Sequence, residues 1–136
     1  MDCIFCKIVN GDIPSKILYE DDYSISFLDA FPISKGHTLV IPKKHFPQIQ
    51  DMPLEISQKL FETVHKMISK TDLIKGSTLV LIHNGKGSGQ QIMHTHIHLI
   101  PRGYDDSGDN ADKMFQNNIQ LTDNEINSVY NILNIN

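Results

Sequence analysis

Three histidines alternate with other residues in the second half of this chain. Residues 94–100 read His-Thr-His-Ile-His-Leu-Ile. Successive side chains of a β-strand point to opposite faces, so this spacing predicts a strand with His94, His96 and His98 on one face, about 6.6 Å apart. Imidazoles are costly to bury without partners, and three of them repel one another once protonated. The run therefore indicates a functional site rather than an ordinary core strand.

The rest of the chain predicts further strands around this one. Residues 17–29 alternate between apolar and polar side chains around an acidic turn at 20–22, which is typical of a hairpin. Residues 38–42 and 78–83 are short β-branched runs, and each is predicted to form a strand. Tight connections between such strands favour an antiparallel sheet.

Two segments carry a helical pattern. From Pro53 to about Lys70, apolar residues recur every three or four positions, which predicts an amphipathic helix. Residues 122–125, Thr-Asp-Asn-Glu, have the form of a capping box ahead of a second apolar stripe, and they predict a short last helix. Strands with interspersed helices place the chain in the α+β class.

Length and charge narrow the class of protein further. A chain of 136 residues has the size of one domain, so residues 1–136 are predicted to form a single domain. Twelve Lys and Arg against sixteen Asp and Glu give a formal charge of -4, which lacks the basic footprint of a nucleic-acid-binding protein. The sequence has no signal-peptide pattern and no apolar run near the roughly 20 residues of a membrane helix. We therefore expect a cytoplasmic protein with no nucleic-acid or membrane partner.

A glycine-rich loop precedes the histidines. Residues 84–91 read Asn-Gly-Lys-Gly-Ser-Gly-Gln-Gln, and the backbone N–H groups of such a loop can close around an anion such as phosphate. The loop precedes a strand instead of opening a helix, so it matches neither the P-loop nor the dinucleotide fingerprint. By itself it fits an ordinary flexible turn as well as a phosphate site.

Together these segments resemble the histidine triad (HIT) family. Residues 89–102, Gly-Gln-Gln-Ile-Met-His-Thr-His-Ile-His-Leu-Ile-Pro-Arg, are similar to its signature of His-x-His-x-His followed by apolar residues. Other segments follow the family in order and spacing: Cys3-x-x-Cys6, Phe27-Leu28-Asp29, residues 36–43 (Gly-His-Thr-Leu-Val-Ile-Pro-Lys) and the loop at 84–90. The resemblance covers residues 3 to about 103, and 104–136 remain as a C-terminal loop and short helix.

The resemblance implies a HIT fold, which is a five-stranded antiparallel sheet with two helices, and a homodimer in which two sheets join. It also implies hydrolysis or transfer of a nucleoside monophosphate, generally AMP, through a covalent bond to the middle histidine of the motif, His96. His98 would contact phosphate, and His37 would belong to the same catalytic imidazole cluster. Two-step covalent catalysis of this kind needs no metal.

The implied nucleotide contacts lie mainly on two segments. The glycine-rich loop would complete the phosphate pocket, and Asp29 would hold ribose hydroxyls with apolar residues beside the base. The full set of implied nucleotide-binding residues is Phe27, Leu28, Asp29, Asn84, Gly89, Gln90, Gln91, His96 and His98. Two positions depart from relatives, which often carry asparagine where this chain has His83, and serine or threonine where it has Gln91.

The two cysteines admit several interpretations. A Cys-x-x-Cys pair can be a redox motif, but the N-terminus lacks the βαβ context of thioredoxin-like proteins, and two free thiols are the simplest alternative. In branches of the family that bind structural zinc, the implied ligands are Cys3, Cys6, His45 and His94. Two sulfurs and two imidazoles suit a closed tetrahedral site. A further alternative has the three triad histidines holding a catalytic zinc.

The leading functional hypothesis is a dimeric hydrolase that acts at the α-phosphate of a purine nucleotide of the AMP type. Its substrate would be an adenosine phosphoramidate or a related adenylate. One alternative is the cleavage of dinucleoside polyphosphates. Another is a nucleotide-binding regulatory protein with incidental hydrolysis, which the departures at His83 and Gln91 favour. Zinc would have a structural role in each case, with no cofactor required for the chemical step.

Overall fold

The computed structural model describes residues 2–106 and 111–135, and its centre is an antiparallel sheet. The five strands are β1 (Ile17–Glu20), β2 (Ser24–Leu28), β3 (Thr38–Pro42), β4 (Ser77–Leu81) and β5 (Ile97–Arg102). Their order across the sheet is β1-β2-β3-β5-β4, so β1 and β4 are the edges. Every neighbouring pair is antiparallel. The predicted five-stranded antiparallel sheet is confirmed.

Helices accompany both faces of the sheet. Within the described residues the α-helices are α1 (Ile4–Val9), α2 (Leu54–Lys75), α3 (Ala111–Met114) and α4 (Asp123–Leu133). The sequence predicted α2 and α4, whereas α1 and α3 are too short to give a clear apolar period. α2 extends beyond the predicted end near residue 70 and stops at Gly76, whose φ of 106° is left-handed and suits a residue without a side chain.

Two hydrophobic clusters fix these helices on the sheet. α2 and α4 share the larger cluster with strands β1, β3 and β5; its buried residues are Leu18, Val40, Met52, Leu60, Val64, Met67, Ile97, Leu99, Val129 and Leu133. α1 belongs to the second cluster, where Phe5 packs with residues of β2 and β3. The short helix α1 therefore lies against β2 and β3.

The hairpin of β1 and β2 forms as predicted. Its turn is closed by the Asp21 carboxylate, which accepts hydrogen bonds of 2.8 Å from the N–H groups of Tyr23 and Ser24. The polar side of β2 is buried as well as its apolar side: Ser24 is 2.7 Å from the Thr63 hydroxyl on α2. The Ser24 hydroxyl, which is buried on the polar side of β2, thus has a hydrogen-bond partner on α2.

The last helix begins at the predicted capping box. The Thr122 hydroxyl accepts from the Glu125 N–H at 3.2 Å, and the Glu125 carboxylate accepts from the Thr122 N–H at 3.0 Å. After α4 the chain returns to the sheet, where the Ile135 N–H donates to the Leu18 carbonyl of β1. Residues 107–110, part of the predicted C-terminal loop, lie outside the described residues.

The histidine run departs from the predicted strand. β5 begins at Ile97, so His94 and His96 lie before the strand and only His98 stands on it. The physical reason is that the Thr95 N–H and hydroxyl both donate to the Phe46 carbonyl, in the loop after β3. The prediction that one strand carries all three histidines on one face was therefore wrong.

Two smaller observations complete the fold. β4 ends at Leu81, two residues short of the predicted strand, which places His83 in the following loop. No helix in residues 2–106 or 111–135 is long and apolar enough to cross a bilayer.

Candidate active site

His96 is fixed by a backbone carbonyl directly before β5. Its Nδ1 lies 2.7 Å from the carbonyl oxygen of His94. A carbonyl oxygen only accepts, so the hydrogen-bond partner assigns the proton of the neutral ring to Nδ1. The lone pair is then on Nε2. His96 lines a cavity, and an unprotonated imidazole nitrogen can act chemically as a nucleophile.

His98 and His37 are joined in a directional hydrogen-bond chain. The Ile33 N–H donates to Nδ1 of His37 at 3.2 Å, which assigns the ring proton of His37 to Nε2. That Nε2 lies 2.9 Å from Nδ1 of His98 and donates to it. His98 therefore presents its own Nε2–H as a donor. One backbone N–H, 65 positions away in the chain at residue 33, thus determines the tautomer of a triad histidine.

Burial keeps this imidazole cluster neutral. Burial lowers the pKa of His37 to about 3, and the neighbouring His96 ring adds to the effect. Burial, followed by the nearby imidazoles, lowers the pKa of His98 to about 2. The pKa of His96 is also lowered by burial, although its bond to the His94 carbonyl opposes the shift. Near pH 7 the three rings are therefore neutral hydrogen-bonding groups instead of cations, and of the three His96 keeps an unbonded lone pair.

Asp29 borders the same cluster at the end of β2. One of its carboxylate oxygens lies 3.4 Å from Nε2 of His37, and the other accepts from the Phe31 N–H at 2.9 Å. Burial raises the pKa of Asp29 to about 6, with the Phe31 N–H opposing the shift. The carboxylate is predominantly ionised at neutral pH and is an acceptor for hydroxyl donors.

A cavity of about 490 Å³ opens over these groups. The predicted site residues that line it are Phe27, Leu28, Asp29, Gly89, Gln91, His96 and His98. His83 lines it too, and α1 contributes Phe5 and Ile8, which the sequence analysis did not single out. The lining combines apolar side chains with imidazoles, which suits a ligand with a flat apolar part and an anionic part. His37 is not among the lining residues of this cavity, but it is hydrogen-bonded to His98, which lines it.

Two predicted nucleotide-binding residues are not brought to this cavity. The Asn84 side chain accepts from the Ile49 N–H and donates to the Gln50 side chain, so its hydrogen bonds are used within a neighbouring loop. Gln90 is buried, and it accepts from the Gly85 N–H at 2.7 Å and donates to the Pro47 and Ile92 carbonyls. Gln90 holds the glycine-rich loop in shape because a buried polar group needs an internal partner, whereas the exposed Asn84 connects this loop to residues 49 and 50.

Phe115 was missed entirely, because an isolated aromatic in an asparagine-rich segment has no periodic signal. It follows α3, and its ring centroid lies 4.8 Å from that of His98 and 5.1 Å from that of His83. It also contacts His37 at 6.2 Å. The C-terminal segment thus places an aromatic edge on the imidazole cluster.

A second cluster brings two thiols and two imidazoles together. The side-chain ligand atoms of Cys3, Cys6, His45 and His94 all lie within 4.8 Å of one another. Nδ1 of His94 is 3.5 and 3.6 Å from the two sulfurs, and Nδ1 of His45 is 3.4 Å from that of Cys6. Tetrahedral zinc, with Zn–S near 2.3 Å and Zn–N near 2.0–2.1 Å, separates sulfur from nitrogen by about 3.6 Å. These four residues could hold a metal ion.

The orientation of His94 agrees with a ligand role. Its Nε2 donates to the Pro42 carbonyl at 2.9 Å, which leaves the lone pair on Nδ1, facing the sulfurs. The alternative catalytic zinc held by all three triad histidines lacks this geometry, because His94 faces the thiols while His96 and His98 face the cavity. Asp29, His37 and His98 also cluster within 4.8 Å. There the Ile33 N–H occupies Nδ1 of His37, so its Nε2 carries a proton and offers no lone pair.

Comparison with known proteins agrees with the fold. A sequence model of the HIT domain family matches residues 10–104. A crystal structure of a Zn-bound histidine triad family protein from Mycobacterium smegmatis has a TM-score of 0.79 and 30% sequence identity, covering 98% of this chain and 94% of that one. The chain belongs to the HIT family.

Two curated relatives carry names that describe an activity. Adenosine 5'-monophosphoramidase hnt1 of Schizosaccharomyces pombe is 41% identical over 109 residues, which cover 79% of this chain and 80% of that protein. Adenylylsulfatase HINT3 of Arabidopsis thaliana is 42% identical over 110 residues, which cover 74% of this chain but only 52% of that protein. The match to the family model, at residues 10–104, spans strands β1 to β5.

Proposed function

We propose that this protein is a hydrolase of the HIT type that releases AMP from an adenosine phosphoramidate or a related adenylate. The observation that carries the proposal is the pairing of an unprotonated Nε2 on His96 with the Nε2–H of His98 in one cavity. The names of the two relatives, a monophosphoramidase and an adenylylsulfatase, support a substrate in which adenylate is bonded to a leaving group.

The proposed reaction has two steps. Nε2 of His96 attacks the α-phosphorus, the N–P bond forms, and the bond to the leaving group breaks. The hydrogen bond from Nδ1 to the His94 carbonyl stabilises the positive charge that develops on the ring. Water then attacks phosphorus, the His96–phosphorus bond breaks, and AMP is released. His98 donates to a phosphoryl oxygen in both transition states.

In this proposal, the other residues that line the cavity bind the nucleoside. The Asp29 carboxylate would accept hydrogen bonds from the ribose hydroxyls, and Gln91 and the Gly89 backbone would lie beside the phosphate. Phe5, Ile8, Phe27 and Leu28 supply the apolar surface for the base. Asn84 and Gln90 would act indirectly, by holding the glycine-rich loop.

A structural zinc is proposed at the cluster of Cys3, Cys6, His45 and His94. The ion would tie α1 to the loop after β3 and to the segment before β5, and these segments also form part of the cavity. Closed sites of two cysteines and two histidines stabilise folds without taking part in reactions. The Zn-bound Mycobacterium smegmatis relative supports zinc as the metal.

A homodimer is proposed through β4. This edge strand pairs with β5 on one side only, and Val80 on it is 42% exposed. The other edge, β1, receives a hydrogen bond from the Ile135 N–H. An exposed edge favours pairing with a second strand, so a second copy of β4 is the expected partner. We expect Val80→Lys to shift the molar mass measured by light scattering from that of a dimer to that of a monomer.

The central test replaces the nucleophile. His96→Ala should reduce AMP release by about 10⁴-fold or more, because it removes the nitrogen on which the proposed covalent bond forms. Acid quenching of the wild type followed by mass spectrometry should find AMP bonded to the peptide that contains His96. His65→Ala, which removes an exposed histidine on α2, is the control and should retain activity. AMP release at the wild-type rate by His96→Ala would contradict the proposal.

The substrate class needs a separate measurement. Relative kcat/KM for an adenosine phosphoramidate, adenylylsulfate and a dinucleoside polyphosphate separates the proposed activity from polyphosphate cleavage. Turnover near background on all three, with tight AMP binding, would favour a regulatory protein instead.

A further inference from the structure

A second cavity borders the active-site cavity along the end of β2. Its volume is about 630 Å³, compared with about 490 Å³ for the active-site cavity. Both volumes lie within the range of about 300–1,000 Å³ that is typical of small-molecule sites. The second cavity is therefore large enough to hold a ligand group of its own.

The two cavities share part of their lining. Both are lined by Pro14 and Ser15 before β1, by residues 28–31 at the end of β2, and by Asn118 before α4. Within the described part of the chain, Asp29 is the one charged side chain in this shared set. A molecule that is bound to Asp29 in the active-site cavity therefore lies at the border of the second cavity.

Backbone hydrogen bonds hold the walls of the second cavity in place. The Leu28 N–H donates to the Lys16 carbonyl at 3.1 Å, which joins the segment before β1 to the end of β2. The Ile119 N–H donates to the Pro32 carbonyl at 2.8 Å, which joins the segment before α4 to the loop after β2. All four residues line the cavity. The space is therefore a part of the fold that is enclosed by connected segments.

The lining that belongs to the second cavity alone is mainly apolar. It includes Pro32, Ile119, Leu121, Ile126 and Val129. His37 also lines it, and this ring is neutral near pH 7 because burial lowers its pKa to about 3. The charged side chains of the described lining are Asp29 at the border and Lys16, which is exposed to solvent. An uncharged apolar group gains free energy when it is buried against such a lining.

The proposed function places the ribose of the bound nucleotide at this border. One carboxylate oxygen of Asp29 accepts from the Phe31 N–H, and the other lies 3.4 Å from Nε2 of His37. The Nε2–H of His37 is donated to His98, so this second oxygen remains an acceptor for a ribose hydroxyl. The 2′- and 3′-oxygens are neighbours on the ribose ring. A substituent on one of them leaves the other free to donate to Asp29.

We propose that the second cavity is a subsite for an uncharged apolar acyl group on the 2′- or 3′-oxygen of the bound adenylate. The free ribose hydroxyl donates to Asp29, and the acyl group packs against Leu121 and Ile126. The active site then takes ribose-acylated adenylates as well as unsubstituted ones, and it binds them more tightly. This inference rests on the proposed function, because that function places the ribose at Asp29.

The test compares three ligands of the full-length protein by isothermal titration calorimetry. They are AMP, its 2′/3′-O-acetyl ester and its 2′/3′-O-(N-methylanthraniloyl) ester, which adds an uncharged aromatic ring through the same linkage. The aromatic ester should bind at least about tenfold more tightly than AMP, because its ring is removed from water. The acetyl ester should bind within about fivefold of AMP, because it adds little apolar surface.

A substitution at Leu121 tests where the acyl group lies. Leu121 lines the second cavity and not the active-site cavity, and Leu121→Asp replaces an apolar contact by a charge. This variant should lose about tenfold in affinity for the aromatic ester and keep the wild-type affinity for AMP, which also shows that it is folded. Ile132→Asp is the matched control. It makes the same kind of change at a 38% exposed position of α4 outside the lining, and it should bind both ligands like the wild type.

The subsite and the proposed function fail in different ways. An aromatic ester that binds no more tightly than the acetyl ester would overturn the subsite, as would an unchanged affinity of Leu121→Asp for the aromatic ester. The ligand comparison uses the wild type, so it does not depend on the folding of a variant. AMP binding without a preference for the aromatic ester rejects the subsite alone. If AMP itself does not bind, the proposed function fails and the subsite falls with it.

Discussion

Two imidazole clusters lie side by side in this protein and differ in which ring nitrogen is bonded to the backbone. In the thiol cluster (Cys3, Cys6, His45 and His94), Nε2 of His94 donates to Pro42, and the Nδ1 lone pair faces the sulfurs. In the cavity cluster (His37, His83, His96 and His98), Nδ1 of His96 donates to His94, and the Nε2 lone pair faces the cavity. Residues two positions apart thus receive opposite tautomers. The backbone partner, and not the residue type, decides between a metal ligand and a nucleophile.

The strongest test of this difference between the two clusters is to remove a thiol. Cys6→Ser should abolish binding of one zinc per chain and lower the free energy of unfolding by about 4 kcal/mol or more, because a structural metal contributes directly to folding. Metal analysis and urea denaturation measure both effects. His65→Ala should change neither quantity. At temperatures where Cys6→Ser stays folded, it should still form the AMP adduct on His96; loss of the adduct there would mean that the two clusters do not have separate tasks.

Removing the tautomer control of the cavity cluster should have the next largest effect. In His37→Ala, Nδ1 of His98 loses its donor, and the ring is free to place its proton on the wrong nitrogen. We expect kcat to fall by about 10²-fold or more, by analogy with other histidines that lose an orienting partner. Zinc content should remain that of the wild type. A wild-type kcat would show that the hydrogen bonds from Ile33 through His37 do not determine which ring nitrogen of His98 carries the proton.

The cavity cluster should also carry a pH signature in stability. The folded pKa values of His37 and His98 lie below the unfolded value near 6.5, so the unfolded chain binds protons first as pH falls. Stability is therefore fully present above about pH 6.5, and it decreases below that by about 1.4 kcal/mol per pH unit for each ring. The raised pKa of Asp29 acts in the opposite sense between about pH 6 and 3.8 and offsets part of this loss.

Asp29→Asn separates these two contributions. It removes a buried carboxylate whose ionisation is disfavoured, so the unfolding free energy at pH 7 should rise by about 1–3 kcal/mol. Below pH 6 its stability should fall more steeply than that of the wild type, and affinity for AMP should decrease. Denaturation curves at several pH values, with exposed Asp105→Asn as the matched control, measure this. A variant less stable than the wild type at pH 7 would contradict the role of burial at Asp29.

The smallest expected effect concerns Phe115, whose ring contacts His37, His83 and His98 of the cavity cluster. Edge-on aromatic pairs contribute about 0.5–1.5 kcal/mol, so Phe115→Ala should lower kcat/KM by about 2- to 12-fold. Zinc binding should stay intact. Phe31→Ala, at a 69% exposed aromatic on the cavity rim, is a control for lost apolar surface. An equal decrease in both variants would mean that Phe115 does not act through the imidazoles.

The thiol cluster was more predictable than the cavity cluster. Its four residues followed from the resemblance, and the structure brings all four together. For the cavity, the resemblance included Asn84 and Gln90. Their side chains are instead hydrogen-bonded to residues 49 and 50 and to Gly85, and they do not line the cavity. It could not include Phe115, since this residue lies beyond the similar segment and approaches the site only through the path of the chain after β5.

The elements that depend on short-range geometry could be predicted from the amino-acid sequence. Alternation, a period of three to four and the capping box at Thr122 depend on neighbours within a few residues, and the sheet, α2 and α4 were predicted from them. The tautomer of each imidazole, in contrast, depends on contacts that form when the chain folds. His37 meets His98 across 61 positions of the chain, and Cys3 meets His94 across 91. Which ring nitrogen keeps its proton depends on these distant partners, because the hydrogen bond at one nitrogen leaves the lone pair on the other.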